Sequence, residues 1–485
     1  MSNLKRLHVA AIFVSFVSAL RSFLIPFIVS FFLGSSSESI GFFRFEYIWL
    51  AILLFIFISG IANWLTFRYR INAGELYIQR GIFVKKKRYI QQQRVQSIDI
   101  TAGLFQRLFG LVKLKIETAG GGAEPEVNLI AISREEAEEI SSELTNRNYG
   151  HNQSEQVGEN LHKHEADYTW RLKTNHLMIA ALTSSGLGLT ISAVAALFSQ
   201  IEQFLPETIY DQVFRFFAST GIMLAATFIV VIVFVSWCIS FFGTLIKYGG
   251  FTIEKFDNEL VISRGLLEKR QLTIHSNKVT AIRIVRNIFR QPFGYGAVYV
   301  ESAGGGTNDE QLSTVLLPIA NEQEMIDAFE NLIPDYARRY EIKPVPKRSV
   351  FRFFIRLSVI PLIATLLIGT IISPYGYYGF IAVVVCLLFG FLQYRDAGSG
   401  FDHTHLWLRY RKISQILVIS KKKKIQSAEI RSSILQRRKM LANFRFSILS
   451  SVIGKTFTVL DIEKKEADKM LDWYSARSDT TTEGS

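Results

Sequence analysis

LVKLKIETAGGG, Leu111 to Gly122, is answered 184 residues later by YGAVYVESAGGG, Tyr295 to Gly306. The first segment alternates apolar and charged residues, and the second occupies the same place in its own block. Period-two alternation marks a half-buried strand. Working outward, the same spacing joins Gly81 to Gly265, Val95 to Val279, Phe105 to Phe289 and Gly110 to Gly294. No gap is needed across the middle of the block. A fixed long period means one architectural unit used again. The first copy runs from about Tyr69 to Asn146 and the second from about Gly250 to Asn331.

A third, more diverged copy lies 330 residues from the first. It sets Val95-Gln96-Ser97 against Ile425-Gln426-Ser427, and Gln106-Arg107 against Gln436-Arg437. It lacks the triple glycine, and Tyr410-Arg411 stands where the first copy has Arg80-Gly81.

Each copy follows a pair of apolar stretches. The six are Val9 to Leu33, Phe45 to Phe67, His176 to Phe198, Phe214 to Ile246, Phe353 to Ile372 and Tyr378 to Leu392. A helix needs about 20 apolar residues to cross a bilayer core. All six read as spans, and the first is not a cleaved leader, because a second span follows at once. Segregation of this kind reconciles a mean hydropathy of +0.21 with 20% charged residues. The flanking cations are Lys5, Arg6, Arg68, Arg70, Arg171, Lys173, Lys247, Lys347, Arg348, Arg352 and Arg395. The loops inside the pairs carry Glu38 and Arg44, then Glu202, Glu207 and Asp211, then no charge. By the positive-inside rule, every polar block and both termini face the cytoplasm.

Within each block the pattern is mostly strand. Glu75 to Gly81 alternates and then turns at Arg80-Gly81. Each block closes with a helix. Ser133 and Glu136 form a capping box, and Asn321 and Asp461 cap the other two helices. The fold class is therefore membrane α + β. It has three transmembrane helix pairs, each followed by a small β-barrel or sandwich with a helical plug. The boundaries are 1–67 (hairpin), 68–148 (module), 149–170 (polar linker), 171–247 (hairpin), 248–340 (module), 341–394 (hairpin), 395–478 (module) and 479–485 (disordered tail).

The paired spans, the Arg80-Gly81 turn, the segment Gln92 to Ser97, the run Leu104 to Gly110 and the glycine-rich turn resemble the bacterial pleckstrin-homology-like (PH-like) domain of membrane proteins. The three-copy layout is similar to the YdbT-like proteins of Firmicutes. The resemblance implies a seven-strand barrel closed by a C-terminal helix, facing the cytoplasm at the cell membrane. It brings no catalytic motif, and it implies a shorter PH-like membrane protein, or self-association, as partner.

The clearest chemical feature is basic. The formal net charge is +13. Copy one carries Lys85, Lys86, Lys87 and Arg88, and copy three carries Lys421, Lys422, Lys423, Lys424, Arg437, Arg438 and Lys439. Such a surface suits nucleic acid or an anionic leaflet. The spans choose the leaflet. The runs read as lipid-headgroup contacts or, equally, as a solvated face that only sets topology. Arg21, inside the first span, is either a functional intramembrane charge or one that snorkels from a shifted span.

Other motifs carry less. The glycine triplets lack the following Lys and helix start of a phosphate loop, and read as hairpin turns. His162, His164, Glu165 and Asp167 cluster in the linker without a second half, so no metal is expected. Cys238 and Cys386 lie in spans and read as small apolar residues. No nucleophile–base pair or nucleotide loop is present, so no enzyme and no cofactor is expected. The reading is a polytopic scaffold presenting three cytoplasmic modules to lipid headgroups or protein partners, with cell-envelope maintenance as its setting. The alternative is a component of a transporter or exporter complex.

Overall fold

The computed structural model describes residues 4–34, 45–72, 74–81, 84–118, 127–145, 166–184, 191–192, 222–302, 313–371, 375–450 and 454–476. The chain divides into two compact units, Met1–Ile274 and His275–Ser485.

In the first unit, helices α1 (Ala10–Gly34) and α2 (Phe45–Thr66) lie side by side. Phe16 meets Phe57 edge-on at 5.7 Å, and Trp64 Nε1 donates to the Leu7 carbonyl at 2.8 Å. Strands β1 (Arg68–Asn72), β2 (Glu75–Arg80) and β3 (Lys86–Gln91) form a three-stranded antiparallel sheet. The chain then lays down β4 (Val95–Ala102), the short helix α3 (Leu104–Leu108), β5 (Leu111–Thr118), β6 (Val127–Ser133) and α4 (Arg134–Thr145). In β5 the alternation is realised, with Leu114 and Ile116 fully buried. They pack with Leu76, Ile78 and Ile90 of the first sheet and with Ala137, Ile140 and Leu144 of α4 in one apolar core. Full burial of side chains this size contributes about 1.5–3 kcal/mol each.

The unit continues with β7 (Tyr168–Arg171), α5 (Thr174–Leu182), α6 (Ile222–Tyr248), β8 (Thr252–Phe256), β9 (Glu259–Arg264) and β10 (Lys269–His275). Seven strands share one sheet in the order β6-β5-β4-β10-β9-β8-β7.

The second unit repeats the plan. It holds β11 (Val279–Arg286), β12 (Gly296–Ser302), β13 (Thr314–Ala320), α7 (Glu322–Leu332) and β14 (Lys343–Pro344). Helices α8 (Val350–Ile371) and α9 (Gly379–Asp396) follow, then β15 (Gly398–Phe401), β16 (His405–Arg411) and β17 (Gln415–Lys421). Last come β18 (Ile425–Arg431), α10 (Ile434–Arg438), β19 (Leu441–Ile448), β20 (Lys455–Glu463) and α11 (Lys464–Ser475). Its sheets run β13-β12-β11-β17-β16-β15-β14 and β18-β19-β20.

Among the described residues, four helices are long and apolar enough to cross a membrane, over Trp49–Thr66, Ile229–Tyr248, Lys347–Ile371 and Gly376–Asp396. Helix α1 is 25 residues long and contains the apolar stretch Ala10–Leu20. Most of the expected third span lies outside the described residues. The spanning helices expose their apolar side chains, Phe55 by 72% and Ile360 by 76%, the inverse of a water-soluble surface.

Two expectations change. No sheet closes on itself among the described residues: β4 gives its second edge to β10 and β11 gives its second edge to β17, both in the following repeat, and the seven-stranded sheets end open at β6 and β7 and at β13 and β14. The polar linker also ends earlier than 170, since Tyr168–Arg171 is a strand bonded to β8. The same device recurs in every repeat. Lys5 bridges to Tyr69 through amide bonds of 2.8 and 3.0 Å, and Lys343 pairs with Ser399. A short segment ahead of the apolar helices is thus stitched, in each repeat, to the first strand after them. Sequence patterning overlooks these segments because two to four residues carry no period.

Asp461 does not cap α11. It sits inside β20 with φ +55° and is fully buried, while the α11 N-cap, Glu463, makes no side-chain cap bond. Asn321 does form a reciprocal capping box with Glu324, and Ser133 Oγ accepts from the Glu136 amide at 3.2 Å.

Candidate lipid-facing site

At the foot of the first span pair, β2 ends at Arg80 and turns through Gly81, whose φ is +113°. A Cβ there would lie 2.0 Å from the Val84 carbonyl oxygen, so the turn requires glycine. The chain returns as β3, in a register that sets Arg80 against Lys86, Gln79 against Lys87 and Ile78 against Arg88. The hairpin therefore gathers cations on two adjacent strands. They line a cavity of about 410 Å³ made by Phe67, Ile78, Arg80, Lys85, Lys86, Lys87, Arg88, Val127 and Asn128. Five of the nine residues are basic and none is acidic. Phe67 directly follows α2, so the cavity opens at the membrane end of the module.

Phe67, Arg80 and Asn128 also line a second cavity, of about 210 Å³, that reaches between α1 and α2 to Ser15 and Gly60. Asn128 Oδ1 is buried and accepts no hydrogen bond from the described residues. A buried acceptor without a donor is costly, and it marks a place for a hydroxyl or a water. Nearby, Lys5 meets Glu136 at 3.1 Å, and that hydrogen bond holds the ammonium pKa above its ordinary value. Burial, reinforced by Glu136, pushes the Tyr69 phenol up as well, so it stays protonated.

The copy-three run behaves differently. Lys421 pairs with Asp335 and lies over the Tyr336 ring. Lys422 donates to the Ala476 carbonyl and lies over Trp473, and Lys424 donates to the Asn277 carbonyl. Burial, with repulsion from Lys421 and Lys278, lowers the Lys424 pKa. Of the four, Lys423 is exposed. This run is mostly packed into its own unit, since a strand end and a tight turn place it against α11 and neighbouring carbonyls.

Arg437, Arg438 and Lys439 are exposed on and just after α10. The residues that accompany them were not singled out from the sequence. Ile434, Leu435 and Met440 are exposed beside them, and Leu104, Phe105, Leu108 and Phe109 are exposed around Arg107 on α3. Phe105 packs edge-on to Phe13 of α1 at 5.9 Å, and Arg348, just ahead of α8, donates to the Met440 carbonyl. Both short helices thus sit where a span meets its module. Apolar tips among cations are the pattern of an interfacial anchor. The signal was present in the sequence as a five-residue run too short for a helical period.

Arg21 lies in α1, with its side chain outside the described residues. The glycine triplets and His162, His164 and Glu165 also lie outside them. Asp167 accepts a hydrogen bond from the Asp257 amide at 2.7 Å. Among the described residues no group of three or more His, Cys, Asp or Glu could hold a metal ion.

Residues 9–148, 197–333 and 353–478 each match the bacterial PH domain, so every repeat is covered, the diverged third included. The chain belongs to the bacterial PH domain family. It is also similar to the UPF0699 transmembrane protein YdbT of Bacillus subtilis (strain 168), with 34% identity over 490 residues, covering 98% of this chain and 99% of that protein. Each family match takes in apolar span residues as well as strands. Apolar helix and strands thus fall within the same family match in each repeat. This bacterial PH protein is a transmembrane protein with repeated bacterial PH domains.

Proposed function

We propose that this bacterial PH protein is a polytopic scaffold, without catalytic activity, that binds an anionic lipid headgroup in the cavity below its first span pair. Six spans would hold three modules on the cytoplasmic face, as the flanking cations require. The observation that carries the reading is the cavity at Phe67, with five cations, no carboxylate, and the buried Asn128 acceptor beside the spans. A phosphate would take the cations, and a headgroup hydroxyl would satisfy Asn128. Basic residues near an anionic leaflet gain about 1 kcal/mol each. At ordinary salt this attraction decays over about 8–10 Å.

The full-length protein, purified in mild detergent, is titrated with short-chain phosphatidylglycerol and phosphatidylcholine. Preference for the anionic lipid is expected, weakening as salt rises. Replacing Lys85, Lys86, Lys87 and Arg88 together by Gln should weaken it at least about tenfold, a loss of about 1.4 kcal/mol. Equal binding of both lipids, or no effect of the four substitutions, would show that the run only sets topology.

A further inference from the structure

Across the repeats, the strands before and after the Gln92-like turn form two series. One is β3, β10 and β17, and the other is β4, β11 and β18. In the first unit β4 bonds β10 over six residue pairs, from Ala102↔Lys269 to Ser97↔Ile274. In the second, β11 bonds β17 over six pairs, from Arg286↔Gln415 to Ala281↔Ser420. These are one junction made twice in the same register. Ser97 and Ala281 are one repeat of 184 residues apart, and Ile274 and Ser420 are separated by the 146 residues between copies two and three.

One strand of each series has no such mate among the described residues. β3 is the edge of its three-stranded sheet, and β18 is the edge of its own. Burial follows the pairing. β4 is buried from Val95 through Thr101, whereas β18 exposes Gln426, Ser427 and Arg431. β10 buries Leu272, Thr273 and Ile274, whereas β3 buries Ile90 alone.

We infer that β18 of one copy takes β3 of a second copy of this chain, in the register already used at both internal junctions. That register sets Ser427 against Ile90, Ala428 against Tyr89 and Glu429 against Arg88. Side chains support it. Across β4 and β10, Asp99 pairs with Arg270 at 2.9 Å, and the same two positions hold Glu429 in β18 and Lys86 in β3. Strand addition draws its affinity from main-chain bonds and its register from such side chains. The occupant is a second copy because this chain presents both halves of the junction once each, and an open edge is otherwise a liability. The contact is one-way, so it would build a ring or an open array in the membrane plane. It uses backbone edges and does not depend on the headgroup reading.

The test is made on full-length protein in native membranes, with Cys238 and Cys386 replaced by alanine. One tagged copy carries Ala428→Cys and a differently tagged copy carries Tyr89→Cys. Mild oxidation should give a disulfide dimer bearing both tags. Lys85→Cys in place of Tyr89→Cys lies four strand residues off, about 13 Å along the strand. That exceeds the roughly 7 Å Cα reach of a disulfide, so no dimer should form. In parallel, two tagged copies without β3 or β18 substitutions should copurify from mild detergent, which guards against misfolded variants. Four results would each overturn the inference: no dimer with both tags, an equal yield from the Lys85→Cys control, failure to copurify, or cross-linking of the Ala428→Cys copy to a different protein.

Discussion

Arg352 of α8 donates from Nε to Asp461 Oδ1 in β20 at 2.7 Å, tying the first turn of a spanning helix to the last strand of its module. Arg356, one turn on, binds the other carboxylate oxygen, and Gln436 Nε2 donates to Oδ1 at 2.7 Å. Asp461 is fully buried and its amide is held by Asn443 Oδ1 at 3.0 Å. One carboxylate therefore fixes the span, α10 and β20 together.

Asp461→Asn keeps the size and removes the charge that two guanidiniums face. Breaking a buried pair from one side costs about 3–5 kcal/mol. Lys343 and Glu466 meet at 3.3 Å on the surface of the same unit, and Glu466→Gln should cost no more than about 1 kcal/mol. Thermal unfolding of the full-length protein in detergent should rank the two in that order. Equal effects would mean that Asp461 carries no such joint.

Gly265→Ala should destabilise more than Gly294→Ala. Both residues have positive φ, +98° and +74°. A Cβ at Gly294 meets nothing within 4 Å, so it bears only the left-handed strain of about 1–2 kcal/mol. At Gly265 the Cβ would lie 2.0 Å from the Glu268 carbonyl oxygen, which cannot rotate away. Comparing unfolding midpoints of the two variants checks the order.

The contrast shows what the sequence could carry. The repeat, the Arg-Gly turns and the four described apolar helices were legible because they rest on period, glycine and hydropathy. The stitched strands around Lys5, Tyr168 and Lys343 were not, since their pairing is long-range. Nor was the fate of the two basic runs. Lys85 to Arg88 and Lys421 to Lys424 read alike, but only the second finds Asp335, Tyr336 and Trp473 in the fold. Asp461 read as a cap because it precedes a helix, yet a positive φ turns it into the interior instead.

Acid should weaken the second unit through His405. His405 is buried, and that burial lowers its pKa below 6.5 despite the opposing pull of Asp402. Arg338 and Lys421 also disfavour its charge, while Asp335 favours it. Its folded pKa lies below the unfolded one. The unfolded chain therefore binds the extra proton, and stability present above pH 6.5 falls as pH drops below it. Asp402 is held low by the Thr404 and His405 amides against its own burial, and its contribution is lost only below its ordinary 3.8. Melting at pH 7.5 and 5.5 should show a loss that His405→Gln removes. An unchanged pH dependence in that variant would assign the effect elsewhere.

Orientation is open to a direct test. With Cys238 and Cys386 replaced, single cysteines at the exposed positions Glu139, Gln323 and Lys465 should resist a membrane-impermeant thiol reagent in intact cells. They should react once the membrane is opened. Labelling of any one in intact cells would place that module outside and reverse the charge-based topology for its unit.

The short helices give the last prediction. Leu108 is exposed by 79% on α3, near the contact of Phe105 with Phe13, and Leu435 by 64% on α10, near the start of α8. If these tips enter the interface, a fluorophore on Leu108→Cys or Leu435→Cys should be quenched by spin-labelled lipid and shielded from aqueous iodide. A fluorophore on Lys465→Cys, exposed on the module's closing helix α11, should show the reverse. An apolar side chain moved into the boundary gains about 25 cal/mol per Å² of area removed from water. Leu108→Ser should therefore loosen α3 without unfolding its module, since Leu108 lies outside the buried core. Iodide quenching at position 108 equal to that at 465 would mean that the apolar tips face water or a protein, and the interfacial reading of α3 and α10 would fail.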